Sequence, residues 1–199
     1  MFITFEGIDG CGKSTQVKLL ADHLKKAGKN VITLREPGGT PFSEKIRELL
    51  LHSEYDLTPV SELMLFESAR ADLTEKIINP SLKKGKYVIS DRFYDSTTAY
   101  QGFGRELSLV EVKLINHFAT QSLKPHKTFY IRLDPDTANS RTQGKIKDRI
   151  ENSGKDFYKR LITGFEKIAL EEPERIIIID GNRSVEDIHK IVLEKLDLK

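Results

Sequence analysis

Short apolar bursts recur along the chain, separated by longer stretches with a different rhythm. The bursts are FITF (2–5), NVITL (30–34), KYVIS (86–90), TFYIRL (128–133) and RIIIID (175–180). Each is rich in β-branched or aromatic residues and runs apolar without alternation, the pattern of strands buried on both faces of a parallel sheet. Between them apolar residues return every three or four positions. Val17, Leu20, Ala21 and Leu24 form one such helix, closed by Ala27-Gly28, and Ile46, Leu49 and Leu50 mark a second. A long amphipathic run from Leu63 to Ile78 is expected to stop at Pro80. Residues 108–120 and 184–196 complete the set, the last opened by Ser184 with Asp187 three positions on, close to a capping box. Strand alternating with helix predicts an α/β fold, a three-layer, doubly wound, five-stranded parallel sheet in one domain over residues 1–199. In such sheets ligands bind beyond the carboxyl ends of the strands.

The composition narrows the class. Hydrophobic residues make up 38% and charged residues 31%, enough for a core and a well-solvated surface. The formal net charge of +2 argues against a nucleic-acid-binding face but leaves room for a phosphate pocket built from a few local cations. A single cysteine allows no intrachain disulfide and fits a reducing compartment. No apolar run approaches the ~20 residues of a membrane span and no signal sequence is visible, so a soluble cytoplasmic protein is expected. The five histidines, at 23, 52, 117, 126 and 189, form no metal-ligand spacing.

The stretch GIDGCGKS (7–14) fits G-x-x-x-x-G-K-[ST] without a mismatch, between a strand pattern and a helix pattern. Its glycines let main-chain N–H groups face an anion closely, and the following helix aims its N-terminus at the same point. Gly7, Ile8, Asp9, Gly10, Cys11, Gly12, Lys13, Ser14 and Thr15 are therefore expected to hold a nucleoside triphosphate, with Lys13 on the β/γ-phosphates and the Ser14 hydroxyl on Mg²⁺. Cys11 fits two readings: a small side chain in a tight loop, or a thiol of lowered pKa at a helix N-terminus. Asp91, ending the third apolar burst, is expected to face the same Mg²⁺, and Arg92 suits bidentate contact with phosphate.

Other segments look built for a second ligand. REPGGT (35–40) places Arg35 and Glu36 at the end of the second strand, and Arg47 lies on the next helix. Phe66 and Arg70 stand at i, i+4 on one helix face, a ring and a guanidinium that suit a nucleobase, although Phe66 also fits a core role. DSTTAYQG (95–102) supplies Ser96, Thr97, Tyr100 and Gln101, whose amide both donates and accepts. Arg141, Lys145, Lys147 and Arg149, with Gly144 and Gly154 nearby, read as a cationic lid over 140–154 that closes on a transferring phosphoryl group. A guanine-reading Asn-Lys-x-Asp segment is absent, which argues against a GTP switch.

Together FEGIDGCGKSTQ, REPGGT, Phe66 with Arg70, DRFYDSTTAYQG and the DRIE lid resemble the thymidylate kinases, P-loop nucleoside-monophosphate kinases that make dTDP from dTMP and ATP. The resemblance runs along nearly the whole chain. It implies that residues 36–80 bind the monophosphate, Phe66 stacks on thymine, Arg70 donates to O4 and Gln101 reads N3 with Ser96 or Thr97 nearby. It also implies that Tyr100 lies against the deoxyribose, Asp9 contacts the 3′-hydroxyl, Arg92 holds the acceptor phosphate with Arg35 or Arg47 assisting, and one of the lid cations Arg141, Lys145, Lys147 or Arg149 meets the transition state. Catalytic roles then fall to Asp9, Lys13, Arg92, Arg141 and Arg149, substrate binding extends to Glu36, and the protein pairs as a homodimer. Gly10, where one subtype carries Arg, resembles the lid-dependent bacterial type, and Phe93 stands where Tyr is common. The alternatives are another monophosphate kinase, such as one for cytidylate, and a non-catalytic ATP-binding regulatory module.

Overall fold

The computed structural model describes residues 1–52, 55–144 and 148–198. Five strands form one sheet: β1 (Phe2–Glu6), β2 (Val31–Arg35), β3 (Tyr87–Asp91), β4 (Lys127–Arg132) and β5 (Ile176–Asp180). All adjacent pairs are parallel, in the order β2-β3-β1-β4-β5. Each predicted burst is a strand, yet only β1 is buried along its whole length, while β3 and β4 are buried except at their ends. Every residue of β1 is buried, whereas β2 and β5 are partly exposed because they are the sheet's outer strands. The register sets Phe5 opposite Asp91 of β3 on one side and opposite Phe129 of β4 on the other. Strand order reverses beside β1, so the segments leaving β1 and β3 diverge around one crevice at their carboxyl ends.

Helices α1 (Lys13–Lys26), α2 (Pro41–His52), α3 (Pro59–Leu73) and α4 (Asn79–Lys83) precede β3 or flank it in sequence. The run expected to end at Pro80 instead continues. A π-helical segment, Thr74–Ile78, joins α3 to α4, and Pro80 sits in the first turn of α4, where its missing N–H leaves no bond unmade. After β3 come α5 (Tyr94–Thr97), a second π-helical segment, Thr98–Gly104, and α6 (Leu109–Ala119). DSTTAYQG is thus helical and buried. The helices α7 (Pro135–Arg141), α8 (Lys155–Glu171) and α9 (Val185–Lys195) follow β4 and β5. Ser184 caps α9, accepting from the Asp187 N–H at 3.1 Å while its hydroxyl donates to the Asp187 carboxylate. The sequence reading assigns no helix to 155–171, although Phe157, Leu161, Phe165 and Ile168 recur at helical spacing and are all buried.

The main core joins Ile3 and Phe5 of β1, Leu20 and Leu24 of α1, Phe129 and Ile131 of β4, and Phe165 of α8. Phe129 is fully buried and its ring stacks on Phe5 at 5.3 Å. Phe129→Ala is expected to lower the unfolding free energy by about 3–5 kcal/mol, through lost burial and the cavity left behind. Denaturant titration with an unchanged m-value would show it.

Candidate active site

The loop after β1 closes through Cys11 N–H to Ile8 O and is shaped by positive φ at Gly7 (135°), Gly10 (82°) and Gly12 (101°). A Cβ on Gly7 would stand 2.6 Å from the Ile131 carbonyl oxygen, and one on Gly10 would stand 2.7 Å from that of Ala138. An arginine at position 10 therefore has no room against α7, a steric reason for the small residue there. The Lys13 ammonium lies over the loop, donating to the Gly7 and Ile8 carbonyls at 3.0 Å each, with the Asp9 carboxylate 3.7 Å away. Cys11 is buried and its thiol is pushed up by burial, which favours the reading of a small side chain in a tight loop over that of a reactive thiol.

The β1–β3 register brings the acid to this loop. The Ser14 hydroxyl donates to Asp91 Oδ2 at 2.5 Å across 77 residues of sequence. Arg92 follows with a left-handed backbone (φ 73°), held by its N–H to the Phe5 carbonyl and by the Ser90 hydroxyl to its own carbonyl. That turn throws its guanidinium over the loop. It donates to the Gly7 carbonyl (2.9 Å), Ser96 (3.0 Å), Asp9 (2.8 Å) and Tyr100 (3.1 Å), and covers the Tyr100 ring at 5.0 Å. Against the cost of burial, Arg92 and then Lys13 hold the Asp9 carboxyl well below the usual range.

Every residue expected to bind the second ligand lines one cavity of about 260 Å³: Asp9, Glu36, Arg47, Phe66, Arg70, Arg92, Ser96, Thr97, Tyr100 and Gln101. Ser14, Asp91 and Arg35 border it as well. Arg47 donates to the Pro37 carbonyl at 2.9 Å, and Arg35 pairs with Glu44 at 3.1 Å. Phe66 combines both of its readings, since it lines the cavity and also packs against the core. Arg70 is buried and gripped on three sides, by Glu36 (2.7 Å), Glu67 and Thr97 (2.8 Å). Burial, then the Glu67 charge, push the Glu36 carboxyl up to about 7 against the pull of Arg70. A second cavity of about 610 Å³ opens on the other side of the loop, between Ile8 and Asp9, α7 and the start of α8.

The expected lid cations stand elsewhere. Arg141 donates to the Gly181 carbonyl at 3.0 Å, and Arg149 donates to the Leu50 carbonyl (3.1 Å) and Glu62 (2.6 Å). Neither lines either cavity. Lys145 and Lys147 lie outside the described residues.

The sequence reading missed Glu6, Glu62, Glu67 and Arg105. Glu62 was within reach, because Glu62, Phe66 and Arg70 repeat every four residues along one stripe of α3. Glu6 ends β1 fully buried and accepts from the Phe93 N–H (2.8 Å) and the Ser96 hydroxyl (2.5 Å), bracing the turn that carries Arg92.

Comparison with known proteins identifies the family. The family model described as thymidylate kinase matches residues 5–192. The chain belongs to the thymidylate kinase family. It is 49% identical to the thymidylate kinase of Caldanaerobacter subterraneus subsp. tengcongensis, covering 98% of this chain and 94% of that one. It is 50% identical to that of Chlorobaculum parvum, covering 98% and 95%. The crystal structure of thymidylate kinase from Ehrlichia chaffeensis superposes with a TM-score of 0.81 at 38% identity, covering 98% of both chains. The fold is α/β, a five-stranded parallel sheet with flanking helices, and no described helix is long and apolar enough to cross a membrane.

Burial first, and the Asp95 carboxylate second, push the Glu6 carboxyl up to about 8 from a model-peptide value of 4.5. Between those values the folded chain keeps a proton that the unfolded chain has released. Stability from this group is therefore present at low pH and lost as pH rises through that window. The unfolding free energy of Glu6→Gln is expected to decline less than that of the native chain between about pH 5 and 8. Denaturant midpoints measured across that range check it, and parallel declines would contradict it.

Proposed function

We propose that the protein transfers the γ-phosphoryl group of ATP to dTMP, giving dTDP and ADP. The observation that carries this reading is the single cavity in which an aromatic ring, a buried guanidinium and an amide stand opposite a P-loop, with Arg92 between them. Membership of the thymidylate kinase family supports the same substrate pair.

In this reading the residues from Gly7 to Thr15 wrap the triphosphate with main-chain N–H groups, and Lys13 leaves the loop carbonyls for the β/γ-phosphates. Ser14 and Asp91 bring two hard oxygen donors to one point, a set that suits Mg²⁺. When bound, that ion neutralises charge on the phosphates. The ring of Phe66 stacks on thymine, Arg70 donates to O4, Gln101 reads N3 with Thr97 beside it, and Tyr100 lies against the deoxyribose. Asp9, ionised and oriented by Arg92, accepts from the 3′-hydroxyl. Arg92 holds the acceptor phosphate, with Ser96 bracing it and Arg35 and Arg47 adding positive charge, while Glu36 sets Arg70. Because the transition state is loose, positioning and cations carry the rate and no strong base is needed. Arg141 or Arg149 would supply lid charge after leaving its present partner.

Pairing as a homodimer is supported by exposed apolar side chains on helices that pack together, Val60 and Met64 of α3 with Val110, Leu114 and Phe118 of α6. The lone, buried cysteine suits a reducing cytoplasm.

Purified protein mixed with ATP and a panel of nucleoside monophosphates is expected to yield dTDP, resolved by thin-layer chromatography. Lys13→Ala is expected to lose most turnover, about 10²-fold or more, by releasing the γ-phosphate from its oriented position. No diphosphate from any acceptor would favour a binding module, and CDP without dTDP a cytidylate kinase. Arg70→Ala is expected to weaken dTMP binding far more than ATP binding. Equal losses in both affinities, measured by titration calorimetry, would remove the base-reading role.

A further inference from the structure

Glu62 lies fully buried on α3, one turn before Phe66, and every donor around it is accounted for. Its Oε1 accepts from Gln101 Nε2 at 2.9 Å and from Arg105 Nε at 3.1 Å. Its Oε2 accepts from Arg105 at 3.2 Å and from Arg149 at 2.6 Å. A side-chain amide has one donating and one accepting end, and a carboxylate only accepts. The two ends of Gln101 are therefore not interchangeable. Its nitrogen must face Glu62, and its oxygen is the end left for the cavity that Gln101 lines. Among the described residues nothing donates to that oxygen. Reversing the amide would set oxygen against a buried carboxylate oxygen and forfeit the hydrogen bond. Burial raises the Glu62 carboxyl, but the bonds from Arg105 and Gln101 outweigh it and leave the group below its ordinary range, so it stays an acceptor at neutral pH.

We propose that Glu62 is a specificity-positioning residue: by fixing the amide of Gln101 with its oxygen toward the acceptor site, it selects a pyrimidine that presents a ring N3–H and rejects one whose N3 is an acceptor. Thymine and uracil present N3–H beside the O4 acceptor. Cytosine presents a bare N3 beside a donating N4 amino group. Against cytosine, the Gln101 oxygen would meet a lone pair and the Arg70 guanidinium would meet another donor. Both mismatches rest on carboxylates that hold their partners in one orientation, Glu62 for Gln101 and Glu36 with Glu67 for Arg70. The inference rests on the dTMP kinase reading above and assigns the origin of its base selectivity.

The test compares dTMP with 5-methyl-dCMP, which differ only along the edge in question, using ATP as donor. The chains are the native protein, Glu62→Gln, Gln101→Met and the double variant. A Gln at 62 accepts or donates, so the amide of Gln101 is freed to turn. The ratio of kcat/KM for dTMP over 5-methyl-dCMP is expected to fall by about tenfold or more in Glu62→Gln, with the KM for ATP within about twofold of native. In the Gln101→Met background the same change at 62 is expected to leave the ratio where Gln101→Met put it. A role in folding or lid anchoring alone would lower both substrates together and keep the ratio, and that result overturns the proposal. So does an equal change of ratio with and without Gln101. Where thermal scans show Glu62→Gln unfolded, the native chain answers instead. In ¹⁵N-labelled protein the Gln101 side-chain signal, assigned by its loss in Gln101→Met, is expected to show one slowly exchanging Nε2 proton. Fast exchange of both protons overturns the proposal. A native chain that makes no dTDP overturns the dTMP kinase reading itself, whereas native dTDP synthesis with an unchanged ratio in Glu62→Gln overturns this inference alone.

Discussion

The site depends first on the parallel pairing of β1 with β3. Phe5 stands opposite Asp91, and the Phe5 carbonyl takes the N–H of Arg92, so the chain leaving β3 is fixed against the chain leaving β1 by main-chain bonds inside the sheet. The Ser14 hydroxyl meets the Asp91 carboxylate, and the Arg92 guanidinium meets the Gly7 carbonyl, because that register puts both strand ends at one level. A slip of one residue would turn Asp91 to the other face of the sheet and part these groups. The ladder is buried, so its bonds have no water to exchange with, and the register is correspondingly firm.

Around that fixed point the protein buries charge, which is expensive unless each group has its partner. Glu36 and Glu67 hold Arg70, Asp9 holds Arg92, and Glu62 holds Arg105 and Arg149. Replacing these pairs with apolar side chains would often leave a protein equally stable, so stability is a poor account of them. Orientation is a better one. An unpaired arginine samples many rotamers and loses them on binding, whereas a guanidinium already clamped on one edge offers its remaining donors in a set direction. The same carboxylates keep the cavity from being merely positive. They leave Arg35, which is exposed, Arg47, which is half-buried, and the loop as the places where an anion gains most.

What the sequence made legible was local. The P-loop is a contiguous pattern whose chemistry is fixed by eight residues, and the strands carry their own apolar signatures. Asp91 and Arg92 were readable because they end such a strand. Phe66 and Arg70 were readable as a pair because helical spacing joins them. The rest depends on distance along the chain. Gln101 lies 39 residues from Glu62 and Arg149 lies 87, and no pattern within one element announces either contact. The order of strands is likewise invisible in an apolar burst, so the partial exposure of β2 and β5 emerged only with the topology. Pro80 misled because a π-helical turn absorbs the break that proline makes in a regular helix. The helix over 155–171 misled in the opposite sense. Its apolar residues, Phe157, Leu161, Phe165 and Ile168, recur at helical spacing beside a polar, glycine-bearing stretch.

The two arginines expected to serve that lid differ in what they would leave behind. Arg141 gives one hydrogen bond to the Gly181 carbonyl, a neutral acceptor. Arg149 gives a bond to the Glu62 carboxylate and another to the Leu50 carbonyl. Both bonds have an ionised donor, but only the Arg149 bond ends on an anion, and Glu62 is buried, so withdrawing Arg149 would strip a desolvated carboxylate of one partner. Arg105 would remain to hold that anion, but the Gln101 amide would then share a less fully balanced carboxylate. Moving Arg149 therefore disturbs the end of the cavity that Gln101 lines, and moving Arg141 does not. In the proposed reaction, Arg141 would therefore be the cation freed toward a transferring phosphoryl group at the lower energetic cost, and Arg149 would stay as a partner of Glu62.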